Sequence, residues 1–278
     1  FKLLENIDLQ IAKWDAEVSV LIFNDASTEE RPKTEISFKN IISLRVVNMK
    51  QNRGHARCNA AGLKYITEKE NFDYVILMDG DGEDRPEELT SLFNKSRENP
   101  SQTVTLNRIK RSEGTFFKLL YAGHKILTYI FTGKLIKFGN YSCLPKTDVV
   151  KLVKEACIWS SFSGSVTKVI SERVSVPSIR GERYFGPSQM NLFNLLIHSF
   201  SIIAVFRRAV IVRSVLFLII YLFFVSSSLS FITLFPVLAV LIFLLLIFKV
   251  SSRENIEELN NSLENIGSID VLSNLNSR

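Results

Sequence analysis

The chain has 278 residues, with 34 Lys and Arg against 28 Asp and Glu and a net charge of +6. That length holds one ordinary domain and an appendage. The positive charges are scattered and form no basic block interleaved with aromatics, which argues against nucleic-acid binding; basic residues beside an apolar span suit an anionic membrane surface better.

Hydrophobic residues make up 46% of the chain, but they divide sharply between a mixed, charged first two-thirds and a strongly apolar stretch near the end. Cys58, Cys143 and Cys157 show no CxxC spacing, and His55, His124 and His198 show no metal-ligand spacing. The thiols are therefore expected to be small buried side chains in a reducing compartment.

In chain order, FKLLENIDLQIAKW has the apolar spacing of an amphipathic helix and not the apolar core of a secretory signal. EVSVLIFNDAS then reads as a buried strand closed by Asn24, Asp25, Ala26 and Ser27, and SLRVVNM as a second strand. From Arg53 to about Glu68, RGHARCNAAGLKYITE is rich in small residues and predicts a helix that packs closely on a sheet. FDYVILM is the next strand, and Pro86 is placed to open another helix. SQTVTLNRI predicts a strand, GTFFKLLYAGHKILTYIFTG a long helix, and VSVPSI a further short strand. Alternating strands and helices imply an α/β sheet whose ligands sit beyond the carboxyl ends of the strands, where Asp25 and Asp79 both fall.

Residues 187–208 carry Asn191, Asn194, His198, Ser201 and Arg208 at three- and four-residue spacing among Leu, Ile and Phe, the pattern of an amphipathic helix lying on a bilayer. Residues 209–228 and 231–248 are apolar runs close to the roughly 20 residues that cross a bilayer. Arg207, Arg208 and Arg213 flank the first run, Lys249 and Arg253 follow the second, and SSSLS between them is uncharged. Residues 209–248 are therefore expected to form a transmembrane hairpin with both ends cytosolic. The tail, residues 249–278, is rich in Ser, Asn and Glu and predicts at most a helix.

The sharpest chemical feature is the run from Asp79 to Pro86, DGDGEDRP, where an apolar strand gives way to a turn. Carboxylates at Asp79 and Asp81 can converge on one hard divalent cation, and magnesium usually takes a few carboxylates plus substrate phosphates. A calcium loop is disfavoured because Pro86 and Glu87 stand where further loop ligands are needed.

With these residues the chain resembles the family 2 glycosyltransferases, particularly the membrane-anchored enzymes similar to dolichyl- and polyprenyl-phosphate sugar synthases. The NDAS segment is similar to the family's DDGS-type nucleoside-binding turn, with Asp25 as the retained carboxylate and Asn24 in place of the first Asp. Asn52, Arg53, Gly54 and His55 leading into Ala60, Ala61 and Gly62 resemble its Asn-Gly element, which packs around the nucleotide. Asp79 and Asp81 match the Asp-x-Asp turn, and Glu83, Asp84 and Pro86 its extended form.

The resemblance implies a GT-A-like nucleotide-sugar-binding domain with a mixed sheet, spanning residues 1–186 and N-terminally truncated, since the family's opening strand would precede Phe1. It implies Asp25, Gly54 and Asp79 on the nucleotide sugar, and Asp79 and Asp81 on Mg2+ or Mn2+. Arg108, Arg111, Arg183 and Ser188 would face donor or acceptor phosphates. The implied reaction is inverting hexosyl transfer to a membrane-associated acceptor such as a polyprenyl phosphate, at a bacterial inner membrane. A lipid phosphate needs no general base, whereas a hydroxyl acceptor does, with Asp84 the nearest carboxylate. The alternative is a membrane-tethered, inactive glycosyltransferase-like binding or scaffold protein. A nucleotidyltransferase is demoted because no Gly-rich basic phosphate loop is present.

Overall fold

A computed structural model describes residues 1–28, 37–110, 115–186 and 192–274. The first helix, α1 (Lys2–Ile11), turns Leu4, Ile7 and Ile11 inward. Its buried Asp8 carboxylate accepts the backbone N–H groups of Asn40 at 2.8 Å and Ile41 at 3.0 Å. That cap ties α1 to the start of a strand more than thirty positions away, where those donors would otherwise be buried without partners.

Strands β1 (Val18–Asn24) and β2 (Ile41–Met49) run parallel, and α2 (His55–Lys69) follows. The small residues expected on α2 face the sheet: Ala60 and Ala61 are each 1% exposed. A Cβ on Gly62 would lie 3.1 Å from the Phe23 ring. After β3 (Tyr74–Leu77) a short 3-10 turn at Pro86–Glu88 leads into α3 (Leu89–Glu98), so Pro86 opens the helical segment as its fixed φ favours. The chain continues through β4 (Thr103–Lys110), α4 (Thr115–Thr132), β5 (Phe138–Pro145), α5 (Lys146–Leu152), α6 (Phe162–Val169) and β6 (Arg173–Ile179).

Sheet order among the described residues is β3-β5-β4-β6 in one sheet and β1-β2-β7 in the other. The strand β7 (Ile266–Asn274) comes from the tail and pairs antiparallel with β2. Two apolar layers each run across both sheets. One joins α1 and α3 to β2, β4 and β5, and the other joins α2, α5 and α6 to Val47, Val75 and Leu144. The expected mixed sheet is thus two mixed sheets sharing both covering layers.

Beyond the domain lie α7 (Leu192–Ala204), α8 (Arg207–Val225) and α9 (Phe231–Ser251). The helical segments Arg207–Ser228 and Phe231–Asn260 are each long and apolar enough to cross a membrane, and 11% and 6% of their most apolar stretches are buried. Ser230 and Thr233 form a reciprocal capping box that starts α9 cleanly after the uncharged connection.

The polar stripe expected over residues 187–208 divides. Asn194 and His198 are exposed, but Ser201 is 2% exposed and gives its hydroxyl proton to the Ile197 carbonyl. The cause is packing: Ile203 and Ala204 join Val210 and Ile247 in a cluster that seats α7 against the hairpin. Asn191 lies outside the described residues.

The tail also differs from its expected helix at most. After α10 (Ile256–Asn260) it returns to the domain as β7. Glu258 accepts the indole N–H of buried Trp159 at 2.8 Å, and Asn265 exchanges two hydrogen bonds with the Gln51 backbone.

Candidate functional site

The acidic turn is built by its own hydrogen bonds. The Asp79 N–H donates to Asp84 Oδ2 at 2.9 Å, and the Glu83 N–H donates to Asp81 Oδ1 at 2.9 Å. Gly82 has φ +90°, and a Cβ there would come within 2.9 Å of the Tyr184 ring, so the site demands glycine on both counts.

Asp84 points inward, 3% exposed, with Arg108 at 3.5 Å. Burial pushes its carboxyl up to about 7, helped by the neighbouring Asp79 charge and opposed by the Asp79 N–H and Arg108. The residue expected to serve a hydroxyl acceptor as base is therefore a buried carboxyl that pins the turn.

Asp79 is held the other way. Burial alone would raise it, but hydrogen bonding and charge from His55, together with the Asn140 amide and Arg108, bring it down to about 2. His55 Nε2 lies 3.3 Å from Asp79 Oδ1, and Asn140 Nδ2 donates to the same oxygen at 3.1 Å. In return the Asp79 hydrogen bond raises the His55 pKa against the opposing effect of burial.

A basic segment after β6 folds over this turn. Gly181 N–H donates to the Glu83 carbonyl at 2.9 Å and Tyr184 N–H to the Asp81 carbonyl at 3.0 Å. Arg183 reaches Asp81 Oδ2 at 2.9 Å and Glu83 Oε1 at 3.3 Å, and Arg180 pairs with Glu83. Tyr184 is anchored from the other side by Asn6 at 3.0 Å.

At the end of β1, Asp25 accepts the N–H groups of Arg53 at 3.0 Å and Gly54 at 2.8 Å. Gly54, with φ +91°, makes the turn into α2 that places His55 beside Asp79. Asp25 thus couples the end of the first strand to the helix that carries a contact of the acidic turn.

Of the residues singled out in the sequence, Asp79, Asp81, Asp84, Arg108 and Arg183 converge on one locus, while Asp25 and Gly54 form a second that joins the first through His55. Arg111 and Ser188 lie outside the described residues. Sequence reasoning missed Asn140 and Arg180, and it placed His55 in the element packing around the nucleotide without its contact to Asp79. Asn140 stands on β5, whose FGNYSCLP carries Gly, Asn and Pro and so masks the alternation that would mark a strand. Among the described residues no group of three or more His, Cys, Asp or Glu side chains gathers in a metal-holding arrangement. The three cysteines are free and buried, with burial pushing Cys58 up to about 12 and Cys143 to about 11.

Comparison with curated proteins gives no match. The model of the glycosyl transferase family 2 matches residues 2–154, a span that holds the acidic turn, Asp25, His55, Arg108 and Asn140. With that match over more than half of the chain, and an α/β domain whose acidic turn follows a strand end, the protein belongs to glycosyl transferase family 2.

Proposed function

We propose that this chain transfers a hexosyl group, with inversion, from a nucleoside-diphosphate sugar to a polyprenyl-phosphate acceptor at a membrane, using Mg2+ or Mn2+. Family membership carries the sugar-nucleotide donor and the inverting transfer. The observation that supports the acceptor class is the joining, in one chain, of an arginine-lined acidic turn to two helices long and apolar enough to span a bilayer.

Asp79 and Asp81 offer hard carboxylate oxygens on one turn, and magnesium commonly takes one or two carboxylates while substrate phosphates complete its shell. Bound there, the cation would neutralise charge on the departing nucleoside diphosphate. His55 and Asn140 keep Asp79 ionised and fixed in place. Arg183 would exchange Asp81 for a phosphate, while Arg108 holds Asp84 beneath the turn. Asp25 shapes the backbone that carries Gly54 and, in this reading, would face the nucleoside. An acceptor that is already an anion needs no base, which suits a site whose nearest spare carboxyl is buried.

The test is calorimetry on the full chain in lipid nanodiscs with a panel of nucleoside diphosphates, with and without magnesium. One diphosphate is expected to bind only with the metal, and Asp81→Ala to lose that binding while the chain stays folded, read by circular dichroism. Metal-independent binding, unchanged in Asp81→Ala, would remove the cation from the reading.

A further inference from the structure

Among its described side chains, the last turns of α4 have their polarity reversed. Thr128 and Thr132 are 3% and 4% exposed, whereas Ile126 is 59%, Tyr129 53% and Ile130 53% exposed, with Leu135 just beyond the helix at 61%. A helix of a water-soluble domain turns its apolar stripe to the core; this one turns hydroxyls inward and large apolar side chains out. The Thr132 hydroxyl is satisfied by the Thr128 carbonyl at 2.5 Å, so the inner face leaves that hydroxyl paired.

The inner face packs on the hairpin. The Phe131 ring lies 4.3 Å from that of Phe243 on α9. Arg213 of α8 donates to the Ile130 carbonyl at 3.1 Å, and a Cβ on Gly133 would meet its guanidinium at 2.5 Å. The one charge inside the first apolar run is therefore a cap on the carboxyl end of α4, where the helix dipole favours a cation. Lys134 and Lys137 follow that end, and Arg207 and Arg208 open α8; all four are exposed.

We infer that α4 is a membrane-contacting element, its Ile126, Tyr129 and Ile130 face seated in the headgroup and acyl boundary of an anionic bilayer beside the hairpin. The inference rests on the hairpin crossing that bilayer. The packing of α4 on α8 and α9, which also expose large apolar side chains, and the exposed cations around it argue for lipid as the occupant. The consequence for the site is direct: α4 is the connection between β4, which carries Arg108, and β5, which carries Asn140. Membrane contact is thereby built into the transferase domain itself.

The experiment uses the full chain in vesicles of phosphatidylcholine with phosphatidylglycerol. Spin labels are placed singly through Ile126→Cys and Ile130→Cys, with Leu245→Cys as the hairpin reference and Glu98→Cys as the aqueous one. The native thiols are buried and resist labelling. Labels at 126 and 130 are expected to collide more with oxygen than with a water-soluble nickel complex, as at 245 and opposite to 98. If 126 and 130 behave as 98 does while 245 stays in lipid, α4 faces water and the inference falls with the hairpin intact. Dipolar broadening at 126 that disappears on dilution with unlabelled chain would show a second copy covering this face and would also overturn it. A label at 245 that meets nickel freely would remove the hairpin reading and this one together.

Discussion

Gly82 and Arg183 show how the turn and its basic cover depend on single residues. Replacing Gly82 with Ala puts a Cβ into the Tyr184 ring at φ +90°, and backbone strain of that kind costs about 1–3 kcal/mol. Gly82→Ala is expected to lower the melting temperature of the full chain and to loosen the cover, read as faster hydrogen exchange at the Tyr184 amide. Arg183→Ala removes the guanidinium proposed to exchange Asp81 for a donor phosphate; a charge-assisted hydrogen bond of that kind is worth roughly 1.5–3 kcal/mol, so kcat/KM for the donor should fall by about one to two orders of magnitude. An unchanged kcat/KM would place Arg183 outside the donor site. Asp79 and Asp81 were legible because carboxylates at i and i+2 beyond an apolar strand have few other uses. Asn140 was not, since it reaches Asp79 across 61 positions and no local pattern carries that contact.

At the scale of elements, helices and strands with clean periodicity are where the sequence placed them: α1, α2, β1, β4 and the two apolar helices. What escaped were elements whose identity is tertiary. β5 is a strand despite Gly, Asn and Pro because β3 and β4 pair it on both sides. β7 is a strand because β2 offers an edge, with Asn48 giving its amide protons to Asp270 at 2.8 Å and Ser268 at 3.1 Å. The same Asn48 accepts from Asn24 at the end of β1, so the segment after the hairpin reaches the strand end that carries Asp25. Glu258→Ala should strand the indole N–H of Trp159, which is 1% exposed. An unsatisfied buried donor costs about 1–3 kcal/mol, and a shift in chemical denaturation midpoint of the full chain measures it. No shift would mean that the tail does not clamp the domain.

For the molecule as a whole, β7 fixes the path of the chain. α8 leaves the domain, α9 returns to it, and Arg207 and Glu254 at the two ends of the hairpin meet at 3.8 Å. A hairpin that returns to its own sheet would keep both ends on one side of a bilayer, and by the positive-inside rule Arg207, Arg208 and Lys249 lead us to propose the cytosolic side. In sealed inside-out vesicles, a cysteine introduced by Ser252→Cys should react with a membrane-impermeant maleimide, and one introduced by Leu229→Cys should not; the reverse pattern would invert the topology. The central claim, transfer of a sugar by the Asp79 and Asp81 turn to a lipid-borne phosphate, is tested most directly by one reconstitution. The full chain is placed in vesicles containing polyprenyl phosphate, given a radiolabelled nucleoside-diphosphate sugar matched to the diphosphate that binds, and assayed for label in the lipid phase. Label is predicted to enter the lipid with magnesium, with inverted anomeric configuration, and to vanish with a chelator or in Asp81→Ala; equal labelling by Asp81→Ala would contradict the account.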